Sequence, residues 1–329
     1  MKIIIRFLLV AATIGCLYFC AHKADKTPVS PKEKVMQLLE KHTLQLWYPR
    51  VVDTIHGGYF STFAFDWAKS NNQQKFIVTQ ARHIWTLSNA LAHFPDKPNY
   101  LAYANHGYLF LKNHMWDGER GGFFQLTDST GAVPLYKYSR EKRAYGNAFA
   151  IYGLAAYHQI SGDTGALDLA VKAFRWLDDH AHDPKSGGYY QYLDSLGQAI
   201  PRAALQDGYQ APDKILVGLK DYNSSIHIME AFTVLYQAWP DDTLRQRLQE
   251  MYHIVSDTMM DNRGFLKMHF YPDWSPVPDQ ELIDLAGEGN FNSNHISFGH
   301  DVETAFLLLE TAASLGISEE EVLPLAKNW

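Results

Sequence analysis

The sequence predicts an all-α protein, a toroid of helical hairpins. Three observations predict it. First, a glycine-rich turn recurs along the chain. It reads His56-Gly57-Gly58-Tyr59-Phe60, Arg120-Gly121-Gly122-Phe123-Phe124 and Ser186-Gly187-Gly188-Tyr189-Tyr190, with a weaker copy at Asn262-Arg263-Gly264-Phe265-Leu266. The last glycine of each copy follows the one before by 64, 66 and 76 residues. That period fits one pair of helices plus a structured loop, and repeats of this kind stack. Second, the helical segments alternate in kind. Third, no convincing period-2 strand ladder appears outside short stretches of the long loops.

Ser30 and Pro31 form a cap and first-turn pair for a helix running to about Trp47. Further helices are expected over 79–94, 99–115, 143–161, 164–182, 223–239, 242–260 and 295–315. Segments 183–222 and 261–294 are too long for plain connections and are expected to carry small hairpins or binding loops. The odd helices are amphipathic, with Arg245, Arg247, Gln249 and Glu250 on one solvated face. The even helices are apolar nearly all round, as in Ala148-Phe149-Ala150-Ile151-Tyr152 and Ala305-Phe306-Leu307-Leu308-Leu309. Such helices are buried on all sides, so they are expected to form an inner ring. Each glycine turn precedes an even helix, which places all the turns at one end. Four outer–inner pairs fit between about residues 31 and 315, and a further helix starts at Ser318.

The composition is that of a globular protein, with 47% hydrophobic and 20% charged residues among 329. Net charge is −7 with no basic stripe, which argues against nucleic acid as a partner. The 19 Tyr, 18 Phe and 8 Trp mostly serve packing, although flat aromatic faces also suit sugars. Lys2 and Arg6 flank an apolar run over 3–20, followed by polar residues. This is a secretory leader by pattern, so residues 1–26 are expected to be processed and 27–329 to form the barrel domain. Both cysteines, Cys16 and Cys20, lie in the leader. A lipoprotein-type anchor there is the one expected membrane link. The expected location is periplasmic or membrane-anchored in a bacterium.

Each even helix begins with polar residues. If these helices are parallel, Arg82, Tyr145, Asn147, His227, Glu230, His300 and Glu303 converge around an axial cavity. His227/Glu230 and His300/Glu303 are i, i+3 pairs, so each pair shares a helix face. Three readings compete. The pairs are satisfied buried polar groups, or metal ligands, or acid–base histidines oriented by carboxylates. The third is favoured, because two such pairs on buried helices are costly unless used. Arg82 alone is a weak signal, since a buried arginine commonly serves a structural carboxylate.

At these segments the chain resembles the N-acylglucosamine 2-epimerase family, and within it the cellobiose 2-epimerase branch. The carrying stretches are Thr79-Gln80-Ala81-Arg82, Tyr145-Gly146-Asn147-Ala148-Phe149, Asn223-Ser224-Ser225-Ile226-His227-Ile228-Met229-Glu230, Phe270-Tyr271-Pro272-Asp273-Trp274 and Ser297-Phe298-Gly299-His300-Asp301-Val302-Glu303. The resemblance implies an (α/α)6 barrel and C2 epimerisation of an aldose through a cis-enediolate. It implies His300 as an acid–base group, Arg82 as the guanidinium holding the enediolate oxygens, and His227 as a ring-opening or relay histidine. Tyr145, Asn147, Glu230, Glu303 and Trp274 are the implied sugar contacts, with Asn147 standing where the family pattern calls for glutamine. A mono- or disaccharide is the implied substrate, with no metal and no organic cofactor.

The family barrel has six hairpins, of which this chain supplies four and a stub. The segment expected to hold a second catalytic histidine lies beyond Trp329, so the sequence is expected to be a truncated copy of a longer enzyme, or else a second chain completes the barrel. A glycan hydrolase or lyase, and a non-catalytic sugar-binding remnant, remain alternatives on the same toroid. A hydrolase would need two carboxylates flanking the glycosidic bond. The expected behaviour of the 329-residue product is poor solubility and near-inactivity as an epimerase. Purification and an assay of cellobiose epimerisation check this, and robust turnover would overturn it.

Overall fold

The computed structural model describes residues 29–134, 140–209, 214–261, 264–286 and 295–326. The expected leader lies outside the described residues. The described residues divide after Arg50 into two compact units.

In the first unit, α1 (Pro31–Leu39) continues through a π turn (Glu40–Leu44) into Gln45–Trp47. Its start follows the expected rule. The Ser30 hydroxyl accepts from the Glu33 N–H, the Glu33 carboxylate accepts from the Ser30 N–H, and Pro31 fills the first helical position.

In the second unit the helices are α2 (Ile77–His93), α3 (Asn99–Phe110), α4 (Ala144–Ser161), α5 (Thr164–Ala181), α6 (Tyr222–Ala238), α7 (Asp242–His253), α8 (Asp279–Ala286), α9 (Phe298–Leu315) and α10 (Glu319–Ala326). Helices α2, α4, α6 and α9 pack side by side in chain order, and each also packs on the helix that follows it, α3, α5, α7 or α10. The tightest hairpin shows why. Gly162 ends α4 in a left-handed conformation that glycine tolerates, and the Asp163 carboxylate at once caps α5 through the Ala166 N–H. Inner helices approach closely through small residues. A Cβ on Gly153 of α4 would lie 2.8 Å from the Ala81 carbonyl oxygen of α2. Helix α4 is buried over nearly its whole length, as its sequence predicts.

Among the described residues, six two-residue strands form three antiparallel ladders. They pair β1 (Lys75–Phe76) with β2 (Leu126–Thr127), β3 (Lys142–Arg143) with β4 (Tyr192–Leu193), and β5 (Lys220–Asp221) with β6 (His269–Phe270). The first strand of each pair leads into an inner helix, and its partner belongs to the next repeat. These ladders account for part of the long loops.

The glycine turns hold the least expected feature. Asp53, Asp117 and Asp183 open the three strong copies. One carboxylate oxygen of each accepts backbone N–H groups of its own turn, from Ile55 and His56, Glu119 and Arg120, and Lys185 respectively. The other oxygen pairs with a lysine that starts the strand before the inner helix: Asp53 with Lys75 at 2.8 Å, Asp117 with Lys142 at 2.8 Å, and Asp183 with Lys220 at 2.7 Å. Each ammonium also donates to the carbonyl of the first turn glycine, Gly57, Gly121 or Gly187. All three lysine side chains are wholly buried. Both glycines of each pair have φ between 65° and 81°, a run of left-handed residues closed to other side chains. An aromatic ring lies against each turn. Phe110, Trp176 and Trp274 would meet a Cβ on Gly58, Gly122 and Gly188 at 2.8, 2.7 and 2.3 Å.

One expectation needs correction. Helix α9 is not buried all round: Phe298, Val302 and Phe306 are 70%, 64% and 58% exposed. The residues in the places of Phe298 and Val302 on the earlier inner helices are Ile77 and Ala81, Ala144 and Ala148, and Tyr222 and Ile226, all fully buried. On α2 that face receives the next inner helix, whereas among the described residues no inner helix follows α9.

The clamps predict two stability effects. Lys142→Met leaves the Asp117 carboxylate buried without its counter-charge, and should cost about 3–5 kcal/mol in urea unfolding. Burial alone would raise the carboxyls of Asp53, Asp117 and Asp183, but the lysine and backbone N–H bonds outweigh it and hold them below the usual carboxylate range. Their contribution is therefore present above the ordinary carboxylate pKa. It is lost as pH falls through the lowered values, so unfolding midpoints should drop across that acid window.

Candidate active site

The same clamps set the register of the inner helices. Five residues after each buried lysine stand Gln80, Asn147 and Ser225. The Gln80 side-chain oxygen accepts the Tyr59 N–H at 2.7 Å, and Asn147 Oδ1 accepts the Phe123 N–H at 2.8 Å. Asp301 of α9 accepts the Leu266 N–H after the fourth turn in the same way. The starts of α2, α4 and α9 are thereby tied to the residue that leaves the turn, whereas Ser225 of α6 donates to the Asp221 carbonyl at 2.7 Å.

Two residues beyond Gln80, Asn147, Ser225 and Asp301, one tier of side chains runs round the inner wall: Arg82, Phe149, His227 and Glu303. The Arg82 guanidinium lies 4.5 Å from the Phe149 ring centre, and the Phe149 and His227 rings are 4.8 Å apart. His227, His300 and Glu303 bring one donor atom each within 4.8 Å of one another. Three residues deeper comes a second tier. Trp85 stacks on Tyr152 at 5.0 Å, and the Tyr152 hydroxyl donates to Glu230. Burial and the Glu230 charge push that hydroxyl's pKa far up, so it stays a donor. Glu230 Oε2 in turn lies 2.7 Å from His227 Nδ1. At the mouth, Tyr145 bonds Asn223 and sets its ring edge-on to His227 at 5.5 Å. His300 Nδ1 lies 2.9 Å from the Ser297 hydroxyl, and its ring sits edge-on to Tyr222 at 5.8 Å. Burial, helped by the nearby His227, lowers the His300 pKa against the opposing pull of Glu303.

The structure thus brings together Arg82, Tyr145, His227, Glu230, His300 and Glu303. Arg82 is exposed. The sequence reading missed Phe149, Trp85, Tyr152, Asn223 and Ser297. The signal was available: stepping the same number of residues from each helix's tie to its turn finds the first three.

Two candidates are corrected. Asn147 is fully buried, with Oδ1 on the Phe123 N–H and Nδ2 donating to the Arg143 carbonyl at 2.9 Å. Its amide serves the turn and has no access to a sugar. Trp274 is also buried, and its indole N–H donates to the Ser186 carbonyl at 2.9 Å. Trp176 does the same for the previous turn, donating to Arg120 at 3.0 Å. Trp274 is therefore a lid on a glycine turn.

Chemically, the site offers an imidazole oriented by a carboxylate, a second imidazole beside it, and a planar cation across the same wall. That set suits moving a proton at carbon next to a carbonyl.

The profile of the family described as N-acylglucosamine 2-epimerase (GlcNAc 2-epimerase) matches residues 58–328. A cellobiose 2-epimerase of Bacteroides fragilis is 28% identical over 303 residues, covering 90% of this chain and 70% of that protein. A D-mannose isomerase of Thermobifida fusca is 27% identical over 272 residues, covering 81% of this chain and 61% of that protein. The solved cellobiose 2-epimerase of Spirochaeta thermophila superposes with a TM-score of 0.74 at 31% identity, over 92% of this chain and 70% of that one. The chain thus spans about two thirds of the length of the relatives it matches. The fold is the (α/α)6 barrel type of these proteins.

Asn147→Ala should act on stability and not on the sugar. Losing the amide strands a buried N–H and a buried carbonyl, at about 1–3 kcal/mol for each group left unpaired. Denaturant unfolding should show the loss, and sugar-induced chemical shifts at His227 and His300 should remain.

Proposed function

The chain belongs to the N-acylglucosamine 2-epimerase family, and on that footing we propose that its inner wall performs proton transfer at C2 of a reducing-end aldose. The substrate class is a mono- or disaccharide with a free reducing end, of the cellobiose or mannose kind. The observation that carries this reading is the convergence of His227, His300 and Glu303 beside the tier that starts at Arg82.

The geometry supports the following roles. In the open-chain sugar, the carbonyl at C1 acidifies the proton on C2. The His300 ring takes that proton, and the electron pair moves onto the C1 oxygen. Arg82 lies along the same tier and stabilises the resulting enediolate as a fixed cation. Glu230 holds His227 Nδ1, so His227 meets the sugar hydroxyls through Nε2 and relays the proton of ring opening. Glu303 and Tyr145 orient the remaining hydroxyls. Phe149 and the Trp85–Tyr152 stack give the C–H faces an apolar floor.

His227 and His300 come from neighbouring helices, α6 and α9, and bring one donor atom each within 4.8 Å of one another. Proton transfer on one face of the sugar suffices to exchange the C2 proton, whereas inversion needs a proton from the opposite face. Incubation with cellobiose in heavy water should therefore place deuterium at C2 with the glycosidic bond intact, and incubation with mannose should place it at C2 likewise. His300→Ala should lower exchange roughly a hundred- to ten-thousand-fold. Arg82→Lys, which keeps the charge but loses the planar fork, should lower it by at least about tenfold. Shortened sugars without deuterium at C2, or exchange indifferent to His300, would sink the reading.

A further inference from the structure

We propose that His227, His300 and Glu303 form a binding site for a divalent transition ion of the zinc type, and that the bound ion blocks the sugar chemistry. Two imidazoles and one carboxylate are a donor set that zinc takes readily, leaving a fourth position for water. Their placement supports this. His300 and Glu303 sit one turn apart on α9, and His227 faces them from the adjacent α6, with one donor atom of each within 4.8 Å of the others.

What lies behind the rings is as telling. His227 Nδ1 is held by the Glu230 carboxylate at 2.7 Å, and His300 Nδ1 by the Ser297 hydroxyl at 2.9 Å. In both rings this leaves Nε2 to a ligand. A carboxylate on the far nitrogen fixes the tautomer and raises the basicity of the ligating one, the arrangement found behind metal-bound histidines. The 4.8 Å span is wider than the roughly 3.3 Å between ligands of a tetrahedral ion with bonds of about 2.0–2.1 Å. Binding must therefore draw the three groups inward. Glu303 has the most rotatable side chain of the three and lies on the helix that forms the exposed edge of the wall, so it supplies most of that movement. The same atoms cannot hold an ion and move a proton, so the ion and the sugar exclude one another.

The test uses the full chain stripped with chelator, one portion dialysed against Zn²⁺ alone and a separate metal-free portion titrated with Co²⁺ for its visible spectrum. One zinc per chain is expected, with the tetrahedral cobalt bands at the same stoichiometry. His300→Ala should abolish the site, and Glu303→Gln should weaken it. Glu230→Gln, which removes no ligand but changes the carboxylate behind His227 that also accepts the Tyr152 hydroxyl, should weaken it about 10–100-fold. Far-UV circular dichroism identifies variants that keep the fold. Zinc should also suppress C2 exchange, with recovery on adding chelator. Stoichiometric zinc binding unchanged by His300→Ala, or no binding at micromolar zinc, would overturn the proposal. The binding arm needs no sugar. A chain that binds zinc through His300 but never exchanges deuterium leaves this site standing and removes the epimerase reading.

Discussion

A lysine ammonium with no exposed surface sits at the entrance to each of three inner helices, and the arrangement of the wall depends on how that charge is held. Water no longer solvates it. An aspartate from the preceding turn supplies the counter-charge, and the first turn glycine supplies a carbonyl. The aspartate's other oxygen gathers the turn's own N–H groups, so one carboxylate shapes the turn and fixes the strand beside it. A buried pair of this kind adds little net stability over an apolar substitute, but it is costly to break. Its effect is to specify. Lysine, aspartate and the two left-handed glycines fit together in one geometry only, and the aromatic ring on top keeps water out.

That local geometry propagates. The ladders β1–β2, β3–β4 and β5–β6 tie each helix entrance to the next repeat, so the clamps share one level. Gln80, Asn147 and Asp301 then tie the helix starts to the residues leaving the turns. With three helices registered alike, side chains at equal steps fall into tiers. The upper tier carries Arg82, His227 and Glu303, and the lower one the Trp85–Tyr152 stack and Glu230. The site is thus a consequence of repeat registration. The chemistry is concentrated where the repeats have diverged, because Phe149 occupies on α4 the place that Arg82, His227 and Glu303 hold on the other three helices.

The same logic explains the misplaced expectations. Asn147 and Trp274 look like sugar contacts when read as isolated polar and aromatic residues in suggestive stretches. Set against their counterparts in neighbouring repeats, Gln80 and Trp176, they are parts of the turn. Helix α9 reads as an inner helix, and it is one, but burial of its apolar face depends on a neighbour and not on its own sequence. Phe298 and Val302 are exposed where Ile77 and Ala81 are covered.

Much was legible from the chain alone. Helix periodicity and the glycine pairs follow from local rules: an apolar stripe repeats with the helical turn, and consecutive left-handed residues call for glycine. Those rules located nearly every helix, the inner and outer alternation, and the pairs His227/Glu230 and His300/Glu303. Long-range contacts were not legible. Lys75 and Asp53 are 22 residues apart, Lys220 and Asp183 are 37, and no periodicity links them. Nor does any local signal show that Tyr152 donates to Glu230, or that donor atoms from α6 and α9 come within 4.8 Å. Sequence determined which segments are helices and which side chains are chemically able. Tertiary structure decided which of them meet, because contact depends on the register between helices, and here buried charge sets that register.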